Sequence, residues 1–279
     1  MQFMRLKPWI DKSKIDFEWL SDNPNAVSFL EEPDNWFNIN WNMLSGNPNA
    51  FHILNNYPDK INWFYLSANT SNDVVQTILE KNTAKIDWSR LSSNSSAIKL
   101  IEENLDKIDW DYLSANKNAI HILEQNKEKI SWTYLSKNPN TLHLLEQNPD
   151  KICWSFLSAN THPKAIKLLE NNLDKINWSC LCMNPSAINI IEANPHKIKW
   201  EQLCVNENAL HILEKNQDKI VWKFLSLNSG IFEYDYQKIK QRMVILREEL
   251  IASFYHYDRL EHFNSLNACS LEDFFGCHS

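Results

Sequence analysis

The chain has 279 residues, of which 43% are hydrophobic, 23% charged and 12% aromatic, a globular composition rather than a disordered one. A formal charge of −7 argues against a general nucleic-acid binder, and the three glycines, Gly46, Gly230 and Gly276, stand too far apart to write a phosphate loop, a dinucleotide fingerprint or a nucleophile elbow. No apolar run approaches the roughly 18 residues of a membrane-spanning helix, so no membrane association is expected, and six cysteines without framework spacing read as reduced thiols of an intracellular protein.

Residues 1–13 read as an N-terminal edge, with Trp9 shielding the first layer of the fold. From residue 14 to 228 the chain repeats. Trp41, Trp63, Trp88, Trp110, Trp132, Trp154, Trp178, Trp200 and Trp222 form one column, and Phe17 fills the same slot in a divergent first copy. Their spacings are 24, 22, 25, 22, 22, 22, 24, 22 and 22, so the unit is 22 residues with three short insertions. Two residues before the slot is always Ile (Ile15 to Ile220), three after is always Leu (Leu20 to Leu225), and six after is always Asn (Asn23 to Asn228). A column this strict within one chain marks a position that does the same structural work in every copy.

Inside a unit the period is helical. Trp110, Leu113 and Ser114 share one side of a short first helix, and Ala119, Ile122 and Leu123 share one face of a second. Asp or Asn before the Trp (Asp87, Asp109, Asn177) is an N-cap choice. The invariant Asn, often followed by Pro as in Asn138-Pro139, reads as the N-cap of the second segment. A further Asn closes it (Asn148, Asn194), in the left-handed position that Gly usually takes. The fold class expected is all-α: an α-solenoid of about ten helix-turn-helix repeats, its spine made by the Trp, Ile and Leu columns. At roughly 8–10 Å per layer this predicts a curved rod on the order of 90 Å long. A leucine-rich-repeat horseshoe fits the period but not the sequence, because the Leu-x-Leu alternation of its strand is missing around Leu44 and Leu113. Residues 229–279 read as a C-terminal helical cap. The spacing of Ile239, Met243, Leu246 and Leu250 predicts a helix over 235–254, with another over 257–265.

The pattern Asn-Pro-x-Ala-Ile-x-x-Leu-Glu-x-Asn-Pro-x-Lys-Ile-x-Trp-x-x-Leu-Ser, nearly intact from Asn138 to Ser158, resembles a repeat of giant-virus (mimivirus-like) proteins. The segments Ile231–Tyr236 and Tyr257–Glu261 are similar to the ending those proteins carry. The resemblance covers almost the whole chain. It implies a viral protein acting inside the host cell, in its cytoplasm or in the virion, and it implies no activity.

The slot two after the Trp is aromatic in most copies: Trp19, Tyr65, Tyr112, Tyr134, Phe156 and Phe224. It lies about 200° from the Trp on a helical wheel, so it forms either an exposed binding stripe or packing between layers. Lys three before the slot recurs from Lys14 to Lys219, opposite columns of Glu (Glu102, Glu124, Glu146) and Asp (Asp59, Asp150), and reads as a salt-bridge ladder between layers rather than a phosphate track. His52, His121, His143 and His211 read as solvated, too far apart to share a zinc, and Cys182 and Cys204 as packing replacements for Ser. No metal site, cofactor or catalytic constellation is expected. The function expected is a non-enzymatic scaffold with a protein partner. Weighed against it are a repeat-type binder of RNA or single-stranded DNA and an enzyme centred on Glu248, Glu249, His256 and His262.

Overall fold

A computed structural model describes residues 3–254. Residues 3–233 form one compact unit, and Tyr234 begins a second. The first unit is the helical repeat expected. Each copy opens on a helix of four to six residues that starts at the Trp slot, as in Trp110–Ser114 and Trp178–Met183. A second helix follows (Ile120–Gln125, Leu210–Lys215), then in most copies a single 3-10 turn (Lys127–Lys129, Gln217–Lys219) leading to the next copy. Asp16, Asn40, Asn62, Asp87, Asp109 and Asn177 cap the first helices through their side chains, as their positions predict.

Helices this short cannot stand alone, and three columns hold them together. The Leu column is fully buried in every copy, from Leu20 to Leu225. The Ser column accepts the N–H that precedes the next copy's first helix, at 2.9–3.0 Å in Asn40, Asn62, Asp87, Asp109, Ser131, Cys153 and Asn177, and donates to the carbonyl of its own Trp slot. Cys182 and Cys204 fill the same role, their sulfurs accepting from Lys199 at 3.3 Å and Val221 at 3.4 Å. The third column is the invariant Asn. Asn116 is 1% exposed. Its Nδ2 donates both protons backwards, to the carbonyls of Ser92 and Asn94 at 3.0 and 3.1 Å, while its Oδ1 accepts the N–H of Asn118 at 3.0 Å. The Asn cap of the second segment is therefore real, and it is half of a bridge between copies.

The bridge also runs from the last copy to the first. Asn23 donates to the carbonyls of Ser226 and Asn228, both at 2.9 Å, and Ser226 Oγ accepts the N–H of Asp16 at 2.9 Å. The repeats therefore close into a ring instead of extending as a rod. The tenth copy is shared between the chain ends. Its first helix, Trp222–Leu225, belongs to the C-terminal side, and the 3-10 turn Lys12–Lys14 to the N-terminal side. The strands β1 (Met4–Leu6) and β2 (Phe232–Tyr234) pair, and Arg5 meets Glu233 at 2.9 Å. The N-terminal edge is thus part of the closure, with Trp9 packed against the core.

Two details differ from the sequence reading. The Asn closing each second helix is not left-handed: Asn126, Asn148 and Asn194 have φ of −132°, −136° and −132°. Its Nδ2 instead donates to the carbonyl four residues back, at 2.8–2.9 Å in these three. The Trp column is half-buried and packs against the core, while the Leu column forms its dry centre.

The second unit contains the expected long helix, Tyr236–Phe254, whose Met243 and Leu250 are exposed. The expectations placed on His256, His262 and the helix over 257–265 lie outside the described residues.

Closure makes a testable statement about equivalence. Asn116→Asp removes two donors and sets a carboxylate against two buried carbonyls, which should lower unfolding stability by about 3–5 kcal/mol. Asn23→Asp should cost about the same in denaturant melts. A much smaller loss at Asn23 would mean an open stack.

Candidate functional site

At several joints neighbouring copies come together most extensively through their first helices, as at Trp88–Ser92 against Trp110–Ser114 and at Trp178–Met183 against Trp200–Leu203. In a closed ring the elements nearest the axis crowd most, so the first helices are the inner course and the second helices the outer one. Ten helices at roughly 8–10 Å spacing close on a circle about 25–30 Å across at their axes. The Leu and Ser of each first helix face the core, so the residues one, two and five after the Trp slot face inward.

The six aromatic residues singled out by the sequence lie on this inner wall, but not as one continuous stripe. Tyr112, Tyr134 and Phe156 form an arc, with ring centroids 5.6 and 5.1 Å apart and planes tilted by 55° and 57°. Trp19 and Phe224 meet across the seam of the ring at 5.9 Å. Tyr65 stands apart and packs on its own neighbour Phe64 at 5.3 Å, while the guanidinium of Arg90 covers Phe64 at 4.0 Å. Both readings hold in part: five of the six rings touch another of the column and are half-buried, while Tyr65 touches none of them and is exposed.

The joint between the first copy and the next adds a feature the sequence reading missed. The carboxyl of Asp22, five residues after Phe17, has no hydrogen bond or ion pair within reach, and burial pushes its pKa up to about 6. A Cβ on Gly46 would sit 3.0 Å from Asp22 Oδ1, so the one glycine of the repeats stands where the carboxyl needs room. On the helix Phe17–Leu20 that precedes Asp22, the indole Nε1 of Trp19 is buried without a hydrogen-bond partner, and Lys223 Nζ lies 4.9 Å above that ring. The signal was present in the sequence: Gly46 and Asp22 occupy the same slot in adjacent copies.

The charge columns correct two expectations. The Lys column does not form a ladder with Glu and Asp. Lys14, Lys85, Lys107, Lys129, Lys151, Lys175 and Lys219 each place their ammonium over the Trp of the preceding copy, 4.4–5.2 Å from the ring centroid. For Lys14 that Trp is Trp222, across the seam. The Glu column meets the His column instead: His52, His121, His143 and His211 reach Glu31, Glu102, Glu124 and Glu192 of the preceding copy at 2.6–3.3 Å. Burial raises the thiol pKa of Cys180, Cys182 and Cys204, which keeps them protonated at neutral pH. Among the described residues no group of three His, Cys, Asp or Glu side chains could hold a metal ion, and no helix is long and apolar enough to cross a membrane.

Comparison with known protein families, with curated proteins and with solved structures gives no match.

Asp22 has a clear signature. Its carboxyl takes up a proton more readily in the folded chain than in the unfolded one, so its contribution to stability is favourable at acid pH and is lost as pH rises from about 4 through 6. Asp22→Asn should therefore stabilise the protein at pH 7 by up to about 2–3 kcal/mol, and the gain should vanish below pH 4. Thermal melts at the two pH values check it.

Proposed function

We propose that the protein is a non-enzymatic ring scaffold that binds a protein partner through its inner aromatic wall. The arc Tyr112–Tyr134–Phe156 carries this reading. Large rings with open edges, held in place by their neighbours, present contact area at little cost in side-chain entropy, which is what interface hot spots require. The architecture agrees. Ten near-equivalent copies bury their polar columns in structural hydrogen bonds and leave their variable residues on the wall, so the wall is where one copy differs from the next.

The alternative, a binder of RNA or single-stranded DNA, needs free cations beside stacking rings. Most of the lysines in the repeating column are engaged on Trp faces instead. The resemblance to giant-virus repeats supports placing this scaffold in an infected host cell, in the cytoplasm or the virion.

The triple variant Tyr112→Ala, Tyr134→Ala, Phe156→Ala should lose at least tenfold of its bound partner in pull-downs from host lysate at near-physiological salt, since hot-spot rings are each worth roughly 2 kcal/mol or more. It should keep the helical far-ultraviolet spectrum of the wild type. The same proteins retained in the same amount would refute the reading, and binding of single-stranded nucleic acid that falls steeply with salt would establish the alternative.

A further inference from the structure

The first copy breaks the repeat just ahead of Trp41, and the break builds a surface no other copy has. The insertion between Phe17 and Trp41 folds into the short helix Pro33–Trp36. It brings in Trp36, one of three tryptophans outside the column, followed by Phe37, which is 92% exposed. Twenty residues on, Tyr57 stands where eight of the ten equivalent positions carry Asn. The rings of Trp36 and Tyr57 both pack on Trp41. Centroids are 5.9 Å apart for Trp36–Trp41, 5.4 Å for Trp41–Tyr57 and 5.6 Å for Trp36–Tyr57, with planes inclined by 86°, 55° and 54°.

The chain itself shows what the face of such a Trp accepts, because seven of the column's Trp rings carry a lysine ammonium within 5.2 Å. Lys60 stands in the register that would supply one to Trp41 and makes no such contact; the two added rings lie against Trp41 instead. Trp178 also goes without its lysine but gains no rings. An ammonium seated over the triangle of Trp36, Trp41 and Tyr57 lies within about 6 Å of all three centroids, the range in which ring quadrupoles attract a cation. Tyr57 is 44% exposed, so the triangle opens to solvent. The nearest charges along the chain are the exposed carboxylates Asp34 and Asp59, neither in an ion pair, and the ammonium of Lys60.

We propose that Trp36, Trp41 and Tyr57 form a cage for a lysine side chain of another protein, in the intermolecular version of the contact that the repeats make internally. Methylated lysine fits best, because each methyl group weakens hydration of the ammonium and widens the surface it offers to the rings. The cage shares no residue with the inner wall, so loss of either binding function leaves the other intact.

The test is calorimetric titration of the full chain with a short Gly/Ser peptide carrying one trimethyllysine. Parallel titrations use the unmodified lysine peptide and a peptide with the neutral tert-butyl isostere. The trimethyllysine peptide should bind more tightly than the neutral isostere by roughly tenfold, the factor expected of a desolvated cation–π contact. Trp36→Ala and Tyr57→Asn should each abolish that difference; the second restores the residue most copies use and so leaves the fold intact. Tyr134→Ala, on the inner wall, should leave it unchanged. Equal affinity for the neutral isostere, unaltered binding by Tyr57→Asn, no binding at millimolar peptide, or binding to choline-lipid vesicles without binding to the peptide would each overturn the proposal.

Discussion

A single buried amide holds this molecule together. The Asn at the corner of each copy uses both protons of its Nδ2 on two carbonyls of the copy before and its Oδ1 on an N–H of its own second segment. A short chain turning a sharp corner leaves backbone groups unpaired, and buried unpaired groups are costly. Asn is the one side chain of this length that carries two donors and an acceptor at its tip. Asp offers no donor and Ser only one. Every copy therefore has Asn there, and every copy is tied to its neighbour at the same height and angle.

Ring closure follows from that constraint. When each layer is fixed to the last by the same two bonds, the rotation per copy is fixed as well, and ten equal rotations bring the last copy back to the first. The seam repeats the internal joint in four respects: the amide bridge of Asn23, the acceptor role of Ser226, the ammonium of Lys14 over Trp222, and the aromatic contact of Trp19 with Phe224. Strand pairing at the chain ends is the addition that holds a non-covalent joint shut. A closed stack has no exposed terminal layer, so the demand for polar capping repeats in an open solenoid does not arise in the ring itself.

Chemical variety gathers where equivalence fails. The structural columns are locked, and the chemistry that varies lies on the inner wall and at the insertion ahead of Trp41. Asp22, against Gly46 of the following copy, and the unpartnered indole of Trp19, at the seam, both carry a cost to stability. Cation placement follows the same division. On seven of the column's Trp rings a lysine sits from within the chain; at Trp41 two further rings pack against the indole and no lysine among the described residues does.

The short helices, the buried Leu column and the capping residues were legible in the sequence, because hydrophobic period and cap residues are local signals read within a few residues. The six aromatic wall residues were legible as a column for the same reason. Three things were not. Whether Lys pairs with Glu or sits on Trp depends on how far one copy is rotated against the next, and a 22-residue period does not state a rotation. His and Glu meet on the outer course for that same hidden reason. Closure into a ring is the sum of ten such rotations, so the sequence alone determined the repeating unit and its internal contacts, while the tertiary structure decided that the units curve back until Asn23 finds the carbonyls of Ser226 and Asn228.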